Sequence, residues 1–431
     1  MTDTPIKSHE LRSELYEELH ARPFPKVVAP ACVSHIAIPA EDREIPIHIE
    51  HLSRLARRYS LNPPAGDASC YYQAFPGFEL RWERHTEFCS YSFVRTQCES
   101  PPFVHTAMDF LPAEWRENGP GRSVVAAHLV MLPGDAPDPR GQAMHEMFEG
   151  QVVFGSHIVG RRATIFTSFR IHSDGFARFL IHNRGLSDFQ AGRTTQRVLE
   201  IETYRIMALL GYPVAKAIWP DAQRIDAELG SIIEDNCNLQ TTDDERAMLQ
   251  RINDLANDIE RFRSRTNYRF SATRAYHQLV TRRLADLREE ALPGMSSLAK
   301  FLDRRLTPAV DTCSALEVHL MDMSQRIARA TEMLRTRVEM TIEEQNQSLL
   351  ESLNRRGYQQ LKLQQTVEGL SVAAISYYVV GLARAGIEGL VDAGWAVNVD
   401  IVTGVLVIPV VAGVWWLVRS RRRRIENDEK N

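Results

Sequence analysis

Eighteen consecutive residues near the C-terminus, Ile401 to Val418 (IVTGVLVIPVVAGVWWLV), carry no charge. As a helix they extend about 27 Å at roughly 1.5 Å per residue, close to the hydrocarbon core of a bilayer at about 30 Å. Trp415 and Trp416 stand near the end of the run, where amphipathic rings favour the membrane–water interface. Arg419, Arg421, Arg422, Arg423 and Arg424 follow at once, a cluster that the positive-inside rule puts in the cytoplasm. A core helix of a soluble domain would have to bury the apolar run beside these arginines. The reading is a transmembrane helix over 400–419 and a basic tail over 420–431.

An earlier run, Leu370 to Ala383, has fourteen uncharged residues, short of the roughly twenty that a span needs. It extends to about 392 if Arg384 and Glu388 pair at i,i+4, giving a first span over 369–392. An amphipathic surface helix is the competing reading. Topology favours the span. With one crossing and its arginines inside, the large N-terminal part lies outside, yet the first thirty residues show no apolar leader. Two crossings put both termini in the cytoplasm and leave a short acidic external loop with Glu388, Asp392 and Asp400. The expected location is therefore a membrane, with the lipid bilayer as a partner and the large N-terminal part in the cytoplasm.

Upstream, apolar positions recur in steps of three and four. Met248, Ile252, Leu255, Ile259 and Phe262 form one stripe, resumed by Tyr276, Val280, Leu284 and Leu287. Cys313, Leu316, Leu320, Met323, Ile327, Ala330 and Leu334 form a second. These patterns predict long antiparallel, coiled-coil-like helices over 191–368, broken at Leu292-Pro293-Gly294 and at Leu306-Thr307-Pro308. The stripes can meet within one chain or between subunits, so a homo-oligomer through these helices stays open. Residues 1–190 read as α+β. Helices are predicted over His9–His20, Glu44–Tyr59 and near Gly141–Glu149. Strands are predicted over Ser69–Phe75, Phe78–Phe88, Ser90–Thr96, Ser123–Leu132, Val152–Val159, Ala163–His172 and Phe176–His182. Strands first and helices afterwards point to an antiparallel sheet rather than a doubly wound one.

With 51 Lys and Arg against 55 Asp and Glu, the net charge is −4, which gives no basis for nucleic-acid binding. Cys32, Cys70, Cys89, Cys98, Cys237 and Cys313 show no CxxC spacing and read as small buried hydrophobes with reduced thiols.

Within Phe78–Phe88, period two puts Glu79, Arg81, Glu83, His85 and Glu87 on one strand face. Side by side, Arg81, Glu83, His85 and Glu87 would suit acid–base work or a metal, while a solvated face of self-paired charges is the simpler reading. His48-Ile49-Glu50-His51 lacks i,i+4 histidines and reads as surface. Gly155-Ser156-His157 with Gly160-Arg161-Arg162 has the look of an anion cradle, without the lysine of a P-loop. No nucleophile elbow or kinase signature occurs, and no cofactor is predicted.

The strings HELRSELYEELHARPFP, VSHIA, RWERHTEFCSYSF, RIHSDGFARFLIHNRGLS and TVEGLSVAAISYYVVGL resemble a bacterial family of membrane-anchored proteins of unknown function, domain of unknown function 3422, over nearly the whole chain. The resemblance implies a bacterial membrane protein with a large soluble part and carries no ligand or catalytic residue. In architecture the chain is also similar to CorA-type magnesium transporters. Those carry Gly-Met-Asn after the first span, where this chain has Gly386-Ile387-Glu388-Gly389-Leu390. Under that likeness Glu388, Asp392 and Asp400 would form an acidic ring for a divalent cation. The expectation favoured over transport and over an enzyme is a membrane-tethered sensing or scaffolding module with a cytoplasmic ligand- or partner-binding domain.

Overall fold

The computed structural model describes residues 9–12, 16, 26–98, 101–235, 242–392 and 398–428. Most of the His9–His20 helix, Cys237, residues 393–397 of the expected loop, and the side chains of Asp392 and Arg421–Arg424 lie outside the described set. The residues group into two compact units, 1–238 with 250–331, and 239–249 with 332–431.

The first unit is built on one nine-stranded sheet. Its strands are β1 (Ala31–Pro39), β2 (Cys70–Phe75), β3 (Phe78–Arg84), β4 (Phe88–Thr96), β5 (Val125–Leu132), β6 (Phe154–Ile158), β7 (Ala163–Ile171), β8 (Ala177–Asn183) and β9 (Glu290–Ala291). Their spatial order is β2-β3-β4-β1-β5-β8-β7-β6-β9. β5 and β8 run parallel, and the other neighbours run antiparallel. The helices are α1 (Ile45–Arg58), α2 (Ala113–Glu117), α3 (Gly141–Met147), α4 (Asp188–Leu209), α5 (Gly211–Asp235), α6 (Thr242–Leu287), α7 (Leu298–Arg305), α8 (Thr307–Asp392) and α9 (Val399–Asp428). An antiparallel-rich sheet followed by long helices and an apolar C-terminal helix is the fold class expected above.

Both faces of the sheet are covered. On one, Leu80, Trp82, Tyr91 and Phe93 pack with Leu52 and Leu55 of α1. On the other, Val33, Leu129, Phe179 and Ile181 share a core with Val198 and Ile201 of α4, Val280 of α6 and Leu302 of α7. Residues before and after 190 thus contribute to the same hydrophobic interior. The helical stripes close within this chain: Ile252, Leu255, Ile259, Cys313, Leu316, Leu320 and Ile327 are buried, and ion pairs join Arg326 to Asp226 and Arg274 to Glu317.

Two expectations need correction. β1, at the centre of the sheet, was not among the predicted strands. Cys32 and Cys98 are joined as a disulfide, with Cα atoms 5.7 Å apart, where reduced thiols were expected. β1 and β4 pair from Ala31↔Thr96 inward, which brings Cys98, two residues past Thr96, close to Cys32, one residue inside that end.

In the second unit Met248 and Leu334 are buried, and Arg337 pairs with Glu245 at 3.2 Å. Among the described residues two helices are long and apolar enough to cross a membrane by length and composition, one within Leu298–Leu390 and one over Val399–Ser420. Leu370, Tyr377, Leu382, Ile401, Ile408 and Trp416 expose their side chains. The Arg384–Glu388 pair forms at 3.0 Å, and the same guanidinium reaches Asp400 at 3.4 Å.

Candidate functional site

The strand face predicted to carry chemistry opens into a cavity of about 330 Å³ under α4. Alternation in β3 sends Phe78, Leu80 and Trp82 into the core and leaves Glu79, Arg81 and Glu83 on the opposite face. Register sets their neighbours: Arg81 lies beside Ser92 and Tyr72, Glu83 beside Ser90, and Ser92 beside His35. The roof is one stripe of α4, where Thr195, Leu199 and Thr203 recur at i,i+4. Ser187 starts that helix with a capping box, its hydroxyl accepting from the Gln190 backbone N–H. Tyr204, Phe88, Val33 and Val94 also line it.

The polar groups here are mutually engaged. Arg81 Nη2 donates to Glu83 Oε1 at 2.8 Å, and Tyr72 Oη donates to the same oxygen at 2.9 Å. The Arg81 guanidinium lies 4.8 Å over the Tyr72 ring. Burial pushes the Glu83 carboxyl up, but the charge and hydrogen bond of Arg81 outweigh it and hold the group below its usual range. Burial, then the Glu83 charge, push the Tyr72 phenol up. His35 bonds Ser92 Oγ through Nδ1 at 2.8 Å and Thr203 Oγ1 through Nε2 at 3.0 Å. Thr203 spends its own proton on the Leu199 carbonyl, so His35 Nε2 carries the hydrogen and Nδ1 accepts from Ser92. Burial lowers the His35 pKa to about 4. Two polar atoms of the lining residues, Thr195 Oγ1 and Gln196 Oε1, are buried without a hydrogen-bond partner.

Of the four predicted residues, Arg81, Glu83 and His85 line the cavity and Glu87 does not. β3 stops at Arg84, and His85 N donates to Phe88 O at 2.8 Å, so the chain turns before the alternation reaches Glu87. Its carboxylate instead meets Arg269 of α6 in two bonds of 3.0 Å. Among the described residues no group of three or more His, Cys, Asp or Glu is placed to hold a metal ion. Glu388 and Asp400 both turn to Arg384. His48 and His51 are buried rather than on the surface: His48 bonds Tyr91 Oη at 2.7 Å, and His51 stacks on Trp115 at 4.0 Å. The supposed anion cradle is filled from within, by Glu289 on Ser156 and Glu290 on Arg161.

Sequence reasoning missed Tyr72, His35, Thr195 and Thr203. Only Thr195 and Thr203, two turns apart on one face of α4, left a trace, as polar positions on an otherwise core-facing helix.

The buried imidazoles make stability depend on pH. The pKa values of His35, His51 and His128 are each lowered to about 4 by burial, against about 6.5 in the unfolded chain. Between these values the unfolded chain binds more protons, so stability is fully present above about pH 6.5 and lost as pH falls toward 4. The urea midpoint of the detergent-solubilised chain should fall steadily across that window. A flat midpoint from pH 7 to 4.5 would show the rings to be solvated.

A family model described as protein of unknown function (DUF3422) matches residues 7–425. No curated protein and no solved structure matches the chain, so the likeness to CorA-type transporters rests on the sequence alone.

Proposed function

The chain belongs to the DUF3422 family of proteins of unknown function, and we propose that it is a membrane-anchored, non-enzymatic sensing module that holds a small ligand between its sheet and α4. The carrying observation is the cavity itself, a concave site of about 330 Å³ whose polar wall keeps two buried atoms, Thr195 Oγ1 and Gln196 Oε1, without partners. Unpaired buried polar atoms cost free energy that a ligand can recover, and the mixed apolar and polar lining is typical of small-molecule sites.

Binding is favoured over catalysis by the protonation states. A general base works best with a pKa near the operating pH. Glu83 is held low by Arg81, and His35 sits near 4 with both nitrogens engaged. The enzyme reading draws on the same cavity, since His85 and Glu83 both line it.

The anchor is formed by two crossings, 369–392 and 400–419, with both termini on the cytoplasmic face of a bacterial inner membrane. It is supported by the length and apolarity of the two helices and by the arginines from Arg419 to Arg424. Arg419 lies 4.8 Å over the Trp415 ring, a pairing suited to a headgroup region.

A thermal-unfolding comparison tests the ligand reading. A small-molecule extract of the host cell should raise the midpoint of the full-length protein by several degrees. A Val94→Trp variant, whose indole fills the cavity, should keep a cooperative transition and show no rise. No rise in either protein, or an equal rise in both, would overturn it.

A further inference from the structure

Resting on the cavity reading above, we propose that the ligand is a small amine, an ammonium group carried on a short hydrocarbon body. Charge is the first reason. Glu79, Glu83 and Glu200 line the cavity with a single guanidinium, Arg81. Arg81 is engaged by Glu83 at 2.8 Å, and Glu200 is paired with Arg283. Glu79 is left as the unbalanced charge, so the site repels an anion and attracts a cation.

The unpartnered atoms are the second reason. Gln196 Nε2 donates to Glu200 Oε1 at 2.9 Å. An ionised carboxylate only accepts, so the amide nitrogen is fixed on that side and the amide oxygen is the atom left unpaired. Thr195 Oγ1 lies on the same turn of α4, in a residue 3% exposed, and is also unpaired. An ammonium offers three donors and no acceptor, which suits a wall of amide oxygen, hydroxyl and carboxylate. A carboxylate has no hydrogen to give the amide oxygen.

The apolar wall is the third. Val33, Val94, Leu199 and Phe88 offer a hydrocarbon chain a dry seat, and Tyr204 adds an aromatic face that a cation can approach.

Butylamine, butanol and butyrate share one hydrocarbon body and differ only in the head group. Each is titrated by calorimetry into the full-length protein in lipid nanodiscs, with empty nanodiscs as the blank. Butylamine should bind at least about ten-fold tighter than butanol (a difference of about 1.4 kcal/mol), and butyrate should show no saturable binding. Glu79→Gln, a substitution at an exposed position, should weaken butylamine about ten-fold, and Val94→Trp should abolish its binding. Tighter binding of butyrate or butanol, lost in Val94→Trp, would overturn the amine assignment while leaving the cavity a ligand site. Amine binding that persists in Val94→Trp, or no saturable binding of any probe, would also overturn it. The extract experiment above then decides the cavity reading separately.

Discussion

Arg205→Ala is expected to lower the unfolding free energy by about 3–5 kcal/mol, the usual cost of stranding one partner of a buried ion pair. Arg205 and Glu202 stand one turn apart on α4, with bonds of 2.5 and 2.6 Å and side chains only 11% and 4% exposed. Removing the guanidinium leaves the Glu202 carboxylate in a nearly dry site and also removes a cation 5.1 Å over the Phe169 ring. Because the cost comes from the orphaned charge, a Glu202→Leu/Arg205→Leu double variant should recover most of the loss. Urea titrations followed by tryptophan fluorescence measure both. A single-variant loss below about 1 kcal/mol, the range of exposed pairs, would mean that water reaches the pair.

How far such features are legible in sequence depends on the distance over which they are specified. The alternation in β3 is local, and period two correctly put Glu79, Arg81 and Glu83 together. The same rule failed at Glu87, because the turn closed by His85 and Phe88 interrupts the strand. β1 was missed because ACVSHIAIP is buried on both faces and shows no alternation; without it His35 had no place. The roof of the cavity comes from α4, more than a hundred residues after β3, and strand–helix docking at that separation leaves no periodic mark. Burial of His48 and His51 follows from α1 packing on the sheet through Leu52 and Leu55. The polar look of their tetrapeptide hid this. The helical stripes were read well, since 3.6-residue periodicity is local, but that they close within one chain became evident only from the Arg326–Asp226 and Arg274–Glu317 pairs.

A chain ending after Glu368 should leave the membrane fraction almost completely. The segment Ile401–Val418 alone contains eleven Val, Leu and Ile residues, and at about −0.3 to −0.6 kcal/mol each these favour insertion by about 3–7 kcal/mol. Full-length protein should resist alkaline carbonate and float with lipid in a density gradient. The 1–368 chain should stay at the bottom of the gradient. Flotation of the shortened chain would place the membrane contact upstream of both proposed spans.

The proposed topology is tested most directly by a membrane-impermeant maleimide applied to intact spheroplasts carrying Asn398→Cys or Asp67→Cys. Both positions are exposed; the first lies between the two proposed spans and the second in the loop before β2. Two crossings with a cytoplasmic N-terminal unit predict labelling of Asn398→Cys in intact cells and of Asp67→Cys only after permeabilisation. Labelling of Asp67→Cys from outside, or protection of Asn398→Cys until the membrane is breached, would contradict it.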